Sequence, residues 1–429
     1  MPKDVIKIGL LGCGQVGSGT VAALQANAGA ITQAVGARLE ICRICVRNLA
    51  KPRPPEVDRS LLTVNPDEVL NDPEIDLVAE LIGGVEPARR FILQALDNGK
   101  HIVTANKELI AKAGHELLVV AGERRLDFSF EGSVAGGIPI IRSLKVSLAA
   151  NRIEQIIGIV NGTTNYILTR MAADGLAFAP ALAEAQARGY AEADPSDDVD
   201  GRDAAYKLAI LASIGFQSRV DLDSVYCEGI RRISDRDIRY ARELGYVIKL
   251  LAIAKQVDGA LELRVHPAML PVSHPLAAVS DVFNAIFVRG NAVGDAMFYG
   301  RGAGSLPTGS SVVADLMETA RNIRFGATGR ISCTCFENRP PLSMEEVQTK
   351  YYVRMTTADR PGVLAATAGV FGDHGVSIES MVQKAGAGTE AEIVWITHGT
   401  HEGDMRQALA KIERLPVVRE IGNWIRVEE

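Results

Sequence analysis

Between Gly189 and Lys207 the chain gathers six carboxylates (Glu192, Asp194, Asp197, Asp198, Asp200 and Asp203) and one lysine, just ahead of the apolar run Leu208-Ala209-Ile210-Leu211. The pattern predicts an acidic loop running into a helix. Asp and Gly favour helix N-termini, so a start near Asp200 or Gly201 sets Asp203 and Lys207 four residues apart on one face, acid toward the N-terminus. An ammonium held beside carboxylates suits a small polar substrate that carries its own ammonium and a carbonyl that must receive a proton. The same pattern also describes a solvated acidic loop capping a surface helix, and the rest of the chain must discriminate.

A second chemical signature stands at the other end. Ile6-Lys7-Ile8-Gly9-Leu10-Leu11 reads as a short strand, followed by Gly12-Cys13-Gly14-Gln15-Val16-Gly17 and a helical run from Thr20 to Gln25. In a strand-to-helix setting, Gly12 permits the tight turn, Gly14 lets backbone approach a pyrophosphate, and Gly17 lets helix and strand pack closely. A glycine-rich turn without a ligand is the alternative. Dinucleotide preference is written at the carboxyl end of the second strand, where an acid selects NAD and an arginine NADP. Glu40 stands at the start of that strand, whereas Val46-Arg47-Asn48 and Lys51 stand at its end. NADP is therefore favoured, with NAD also admissible.

Two further apolar runs end in small or polar residues, Leu77–Ile82 at Gly83-Gly84 and His101–Thr104 at Ala105-Asn106-Lys107. Strand carboxyl ends line the ligand crevice of a doubly wound sheet, which places Thr104 and Lys107 toward nicotinamide or substrate. Lys107 could equally form a surface pair. Leu126–Glu131 reads as the last core strand. The glycine-rich exit Gly132–Pro139 offers carbonyls beside the Glu131 carboxylate, a donor set that hard cations prefer, or else it is only a hinge. Asn161-Gly162-Thr163-Thr164-Asn165 could bind a carboxylate or serve as ordinary helix caps. Gly300-Arg301-Gly302-Ala303-Gly304 leads into a helix and suggests a return to the nucleotide crevice.

Composition bounds these readings. A chain of 429 residues with 47% hydrophobic content supports several globular domains. A formal net charge of −6, without a Lys/Arg run, argues against nucleic acid as a partner. No stretch reaches the roughly 18 apolar residues of a membrane span. Six cysteines in so long a chain do not make a disulfide framework, and a cytoplasmic setting is expected. Cys42 and Cys45 fall three apart in a strand and would face opposite ways. Cys333 and Cys335 could share a face but lack neighbouring His or Cys partners for zinc.

In this order the motifs resemble the homoserine dehydrogenase family: the GxGxVG loop, Leu81-Ile82-Gly83-Gly84, Thr104-Ala105-Asn106-Lys107, Glu131–Pro139, Asn161–Leu168, the Gly189–Lys207 stretch and Gly300–Gly304. The resemblance spans about residues 5 to 325. It implies NAD(P)-dependent interconversion of L-homoserine and L-aspartate 4-semialdehyde, with Lys207 as proton donor and Lys107 near nicotinamide and substrate. Glu192 is implied as a substrate ligand, with Asp198 and Asp203 lining that site. A sodium ion would lie on the Glu131 side chain and the carbonyls of Val134, Gly136 and Ile138. Residues 351–429 resemble an ACT domain through Asp359–Leu364 and His374–Ile378, which implies an amino-acid ligand, L-threonine, and feedback control. A homodimer is expected on the same basis.

The expected architecture is α/β. Residues 1–137 with about 305–330 form a nucleotide-binding Rossmann domain, 138–304 an α+β substrate and dimerisation domain, 331–349 a linker and 350–429 an ACT-like α+β domain. Gly12, Gly14, Gln15, Val16, Gly17, Arg47, Thr104, Lys107, Gly302 and Gly304 are the cofactor candidates. A thioester dehydrogenase would need an activated cysteine, and Cys227 has no evident activating histidine. A non-catalytic sensor would not need Glu192, Asp203 and Lys207 together.

Overall fold

The computed structural model describes residues 3–331, 333–385 and 389–429. The backbone forms two compact units, one of residues 1–156, 206–224 and 283–339, the other of 157–205, 225–282 and 340–429.

The first unit is built on six parallel strands, β1 (Val5–Leu11), β2 (Arg38–Cys45), β3 (Leu62–Thr63), β4 (Leu77–Glu80), β5 (His101–Thr104) and β6 (Phe128–Ser129), in the order β3-β2-β1-β4-β5-β6. This is the doubly wound Rossmann order, whose switch point falls between β1 and β4. Every residue of β4 and β5 is buried, because helices cover both faces of a parallel sheet. One of the covering layers joins helix Gln15–Ala26 to helix Ser305–Phe325 through Val21, Leu24, Val312 and Leu316. The two backbones meet at glycines. A Cβ on Gly309 would lie 2.5 Å from the carbonyl carbon of Gly19, a contact that no side chain tolerates.

Three details differ from the sequence reading. The first helix begins at Gln15 rather than Thr20, because Ser18 N–H already bonds the Gly14 carbonyl at 3.0 Å and winds the glycine loop into the first turn. Strand β6 holds only Phe128–Ser129 instead of 126–131. Phe130 leaves the extended region at φ −152°, ψ 34°, and Glu131–Ser133 turn as 3-10 helix. In β2, Ile41 pairs Ile8 while Arg43 pairs Gly9, so Cys42 is bulged out and the alternation that would oppose Cys42 to Cys45 is interrupted.

In the second unit, strands Tyr246–Val257 and Ala260–Pro271 form an antiparallel hairpin. Strand Val418–Val427 joins its edge in parallel, at Ala268 and Met269. Beyond it lie strands Gln348–Ala358, Glu390–Thr397 and Ile378–Ala385, crossed by helices Val363–Asp373 and Glu402–Ile412. This β-α-β-β-α-β module closes on Tyr351, Val353, Phe371, Trp395, Met405 and Leu409. Gly362, at φ 90°, turns the chain into its first helix, a conformation that L side chains rarely adopt. Among the described residues no helix is long and apolar enough to cross a membrane.

Candidate active site

At the carboxyl ends of β1, β2 and β4 the first unit opens a crevice of about 590 Å³ lined by Gly12, Gly14, Arg47, Asn48, Ile82 and Gly83 among others. Gly12 has φ +99°, and a Cβ there would press 2.6 Å from the Leu81 carbonyl oxygen; a Cβ at Gly14 would meet only open space. Backbone is thus exposed where a pyrophosphate would approach a helix N-terminus. Gln15, Val16 and Gly17 wind the first turn behind it. Arg47 and Lys51 stand exposed on the crevice wall, while Glu40, three residues into β2, pairs with Arg38 at the opposite end.

Buried polar groups hold this rim. The Glu80 carboxylate, fully buried, accepts the N–H groups of Ile82 (2.8 Å) and Gly83 (3.3 Å) and the Thr104 hydroxyl (2.7 Å). Burial pushes its pKa up against the pull of those donors. Thr104 therefore presents no free hydroxyl hydrogen to a ligand. Its oxygen also accepts Asn106 N–H, and Asn106 caps helix Lys107–Glu123 while donating to the Gly84 carbonyl at 2.7 Å. Lys107 is half-buried at the first position of that helix. Gly302 and Gly304 are not part of the crevice wall. Gly302 lies against Asn284, neither of whose buried amide atoms meets a hydrogen-bond partner among the described residues. Gly304 starts helix Ser305–Phe325, where the Ser305 hydroxyl donates to the Gln15 carbonyl at 2.7 Å.

The acidic stretch is solvated at its start, where Glu192, Asp194 and Asp197 are exposed, and buried at its end. A short helix, Ser196–Val199, precedes helix Arg202–Gly215, on which Asp203 is 3% and Lys207 8% exposed. In the second unit, the Asn161 amide donates to Asp198 at 2.6 Å and to Asp203 at 2.9 Å, while its oxygen accepts Thr164 N–H at 2.8 Å. Asn161 is thus an N-cap and an aspartate clamp at once, although the sequence had offered capping only as an alternative to ligand binding. Glu192 is exposed on the preceding loop. Lys249 escaped sequence reasoning: buried, it donates to Asn165 (3.2 Å) and the Val279 carbonyl, and desolvation lowers its pKa to about 8. A lone lysine inside the apolar run Val247–Ala252 was the available signal.

Several of the oxygen donors that the sequence offers on the loop after β6 are hydrogen-bonded within the protein. Glu131 is buried, and its two carboxylate oxygens accept Ile141 N–H and Arg142 N–H, each at 2.8 Å. The Gly136 carbonyl accepts the Ser311 hydroxyl at 2.5 Å, and that of Ile138 accepts Ile140 N–H at 2.9 Å; Val134, two residues before Gly136, is buried. Each oxygen keeps a further lone pair, so one carboxylate and three carbonyls fit a hard cation in kind. Asp315 accepts Glu131 N–H at 2.8 Å. Burial, then the nearby Glu131 charge, raises the Asp315 pKa to about 7 despite Arg142 at 3.6 Å.

A family profile described as "Homoserine dehydrogenase, NAD binding domain" matches residues 12–131, one described as "Homoserine dehydrogenase" matches 139–317, and one described as "ACT domain" matches 351–417. The homoserine dehydrogenase of Synechocystis sp. is 48% identical over 431 residues, covering 98% of this chain and 99% of its own. The chain belongs to the homoserine dehydrogenase family. Members of known structure include that of Thiobacillus denitrificans, 45% identical with TM-score 0.94 and full coverage of both chains (100% each). A hyperthermophilic archaeal homoserine dehydrogenase in complex with NADPH is 26% identical, with TM-score 0.62 over 73% of this chain and 97% of that one. As a homoserine dehydrogenase, the enzyme is an NAD(P)-dependent oxidoreductase of amino-acid biosynthesis.

Asp315 generates a pH prediction. Its folded pKa, about 7, lies above the ordinary value of 3.8, so its contribution to stability is full below 3.8 and is lost as pH rises through about 7. The Tm of the wild type minus that of Asp315→Asn should therefore fall across this window. A flat difference in thermal scans would contradict the assignment.

Proposed function

We propose that the enzyme interconverts L-homoserine and L-aspartate 4-semialdehyde with Lys207 as the proton donor. The burial of Lys207 on the same helix face as Asp203 carries this reading. Bound nicotinamide supplies the hydride that reaches the aldehyde carbon. Negative charge then grows on the carbonyl oxygen, and a poorly hydrated ammonium both stabilises it and yields the proton; in oxidation the neutral amine takes the hydroxyl proton back. Glu192 binds the substrate ammonium, Asp198 and Asp203 order the acidic segment through Asn161, and Lys107 assists from its helix N-terminus. Lys207→Ala should lower kcat by about 10²- to 10⁴-fold and leave the dinucleotide Kd, read by fluorescence titration, unchanged. Turnover near wild type would remove Lys207 from the chemistry.

The preferred dinucleotide is NADP. Arg47 and Lys51 on the crevice wall support this, as does the distance of Glu40 from the carboxyl end of β2, and the archaeal relative carries NADPH. Replacing Arg47 by Ala should raise the KM for NADP about tenfold, the order expected for a charge-assisted phosphate contact, and leave that for NAD near its original value. Equal change in both constants would argue against a phosphate role.

A sodium ion on Glu131 and the carbonyls of Val134, Gly136 and Ile138 would stiffen the loop between β6 and the following helix, and it would favour ionised Glu131. The Asp315 thermal scans, repeated in sodium chloride and in N-methylglucamine chloride, should then show higher Tm in sodium; identical curves would count against the ion.

The ACT module is proposed to bind L-threonine and the enzyme to act as a homodimer, both supported by family membership. L-threonine should inhibit the full-length enzyme without competing with homoserine. Unchanged initial rates at millimolar threonine would exclude feedback through this module.

A further inference from the structure

The sequence left Cys333-Thr334-Cys335 without neighbouring partners, but the fold of the first unit supplies them. Phe336 N–H bonds the Thr334 carbonyl at 3.0 Å, an i to i+2 turn that folds the chain at Cys335. Both cysteines then line a small cavity of about 70 Å³ between this segment and helices Lys107–Glu123 and Arg202–Gly215. His115 and Lys145 line the same cavity as the two cysteines, and neighbouring Cys335 first, then His115 and Lys145, push the Cys333 pKa down against the opposing effect of burial. The Cys335 thiol donates to the Ser213 carbonyl at 3.8 Å. Lys112, His115, Lys145 and Arg219 line the cavity against one acid, Asp221. Desolvation lowers the pKa of Lys145 itself, yet neighbouring Cys335 and the basic groups of the cavity hold the Cys333 thiol well below the ordinary range.

The other cysteines differ. Cys13 is buried, and burial raises the pKa of Cys42 and Cys45. Cys227 is exposed, but its environment pushes it up to about 11. None of the six is joined in a disulfide.

We propose that Cys333 and Cys335 form a redox-modifiable dithiol, with Cys333 as the attacking thiolate, Cys335 as the resolving thiol and a small-molecule disulfide as the oxidant. The Cys333 thiolate attacks one sulfur of the disulfide, whose S–S bond breaks to release one thiolate. Cys335 then loses its proton to solvent and attacks the Cys333 sulfur, expelling the second thiolate. Two protein thiols are oxidised to one disulfide, and one small disulfide is reduced to two thiols. The proposal is independent of which residue transfers the proton to substrate.

The test treats full-length protein with oxidised glutathione at pH 7, blocks residual thiols with N-ethylmaleimide, and maps the peptides by mass spectrometry. In wild type the peptide carrying Cys333 and Cys335 should lose both thiol hydrogens and escape the block. Cys335→Ser should stall with glutathione on Cys333, and Cys333→Ser should leave Cys335 alkylated. In a separate time course on wild type, iodoacetamide should label Cys333 at least about tenfold faster than exposed Cys227. Cys227 reacting first, glutathione persisting on wild-type Cys333, or glutathione lodging on Cys335 in Cys333→Ser would each overturn the proposal.

Discussion

Taking the Asp203 carboxylate out of water is the constraint around which the acidic segment is arranged. A buried carboxylate without donors is too costly to persist, so a matching donor must come from another element. Asn161 provides it, and because the same amide also reaches Asp198 and caps helix Gly162–Asp174, one side chain ties that helix, the short Ser196–Val199 helix and the start of helix Arg202–Gly215 together. The amide orientation is determined by this triple role, since only the nitrogen can serve the two acids and only the oxygen can accept the Thr164 N–H.

The nucleotide unit meets the same constraint differently. Glu80 and Glu131 are carboxylates at the carboxyl ends of strands β4 and β6, and both are buried and hydrogen-bonded to backbone N–H groups of the loop or helix that follows. Their raised pKa values show burial outweighing those donors. Each acid therefore acts as a local template. It gathers amide hydrogens that would otherwise be orphaned and so shapes the turns that border a ligand crevice.

In the second unit the ionic content is concentrated where strand Val418–Val427 meets strand Ala260–Pro271. Arg264 pairs with Glu262 and Glu428, and Arg426 with Glu402, all at 2.6 Å and all nearly excluded from water. Replacing such pairs by apolar residues is often neutral for stability, whereas removing one partner is expensive. Their effect is to make the placement of the C-terminal module selective, because a slipped register would strand several charges.

Much was legible along the chain. The parallel sheet follows from short apolar runs, since β4 and β5 are covered on both faces, and glycines stand at residues 12 and 17 because a Cβ there would press on backbone, while Gly14 leaves the space in front of the turn open. The helical spacing of Asp203 and Lys207, and the order of motifs that marks the family, were also local properties. Tertiary structure alone decided whether those charges were wet or buried, that Thr104 serves Glu80, that Asn161 clamps two aspartates, and that His115 and Lys145 share a cavity with Cys333. Periodicity and spacing are set by the geometry of one strand or helix. Burial and hydrogen-bond partnership depend on segments far apart in sequence, and the end of the acidic stretch at residues 189–207 is held in place only when Asn161 arrives from such a segment.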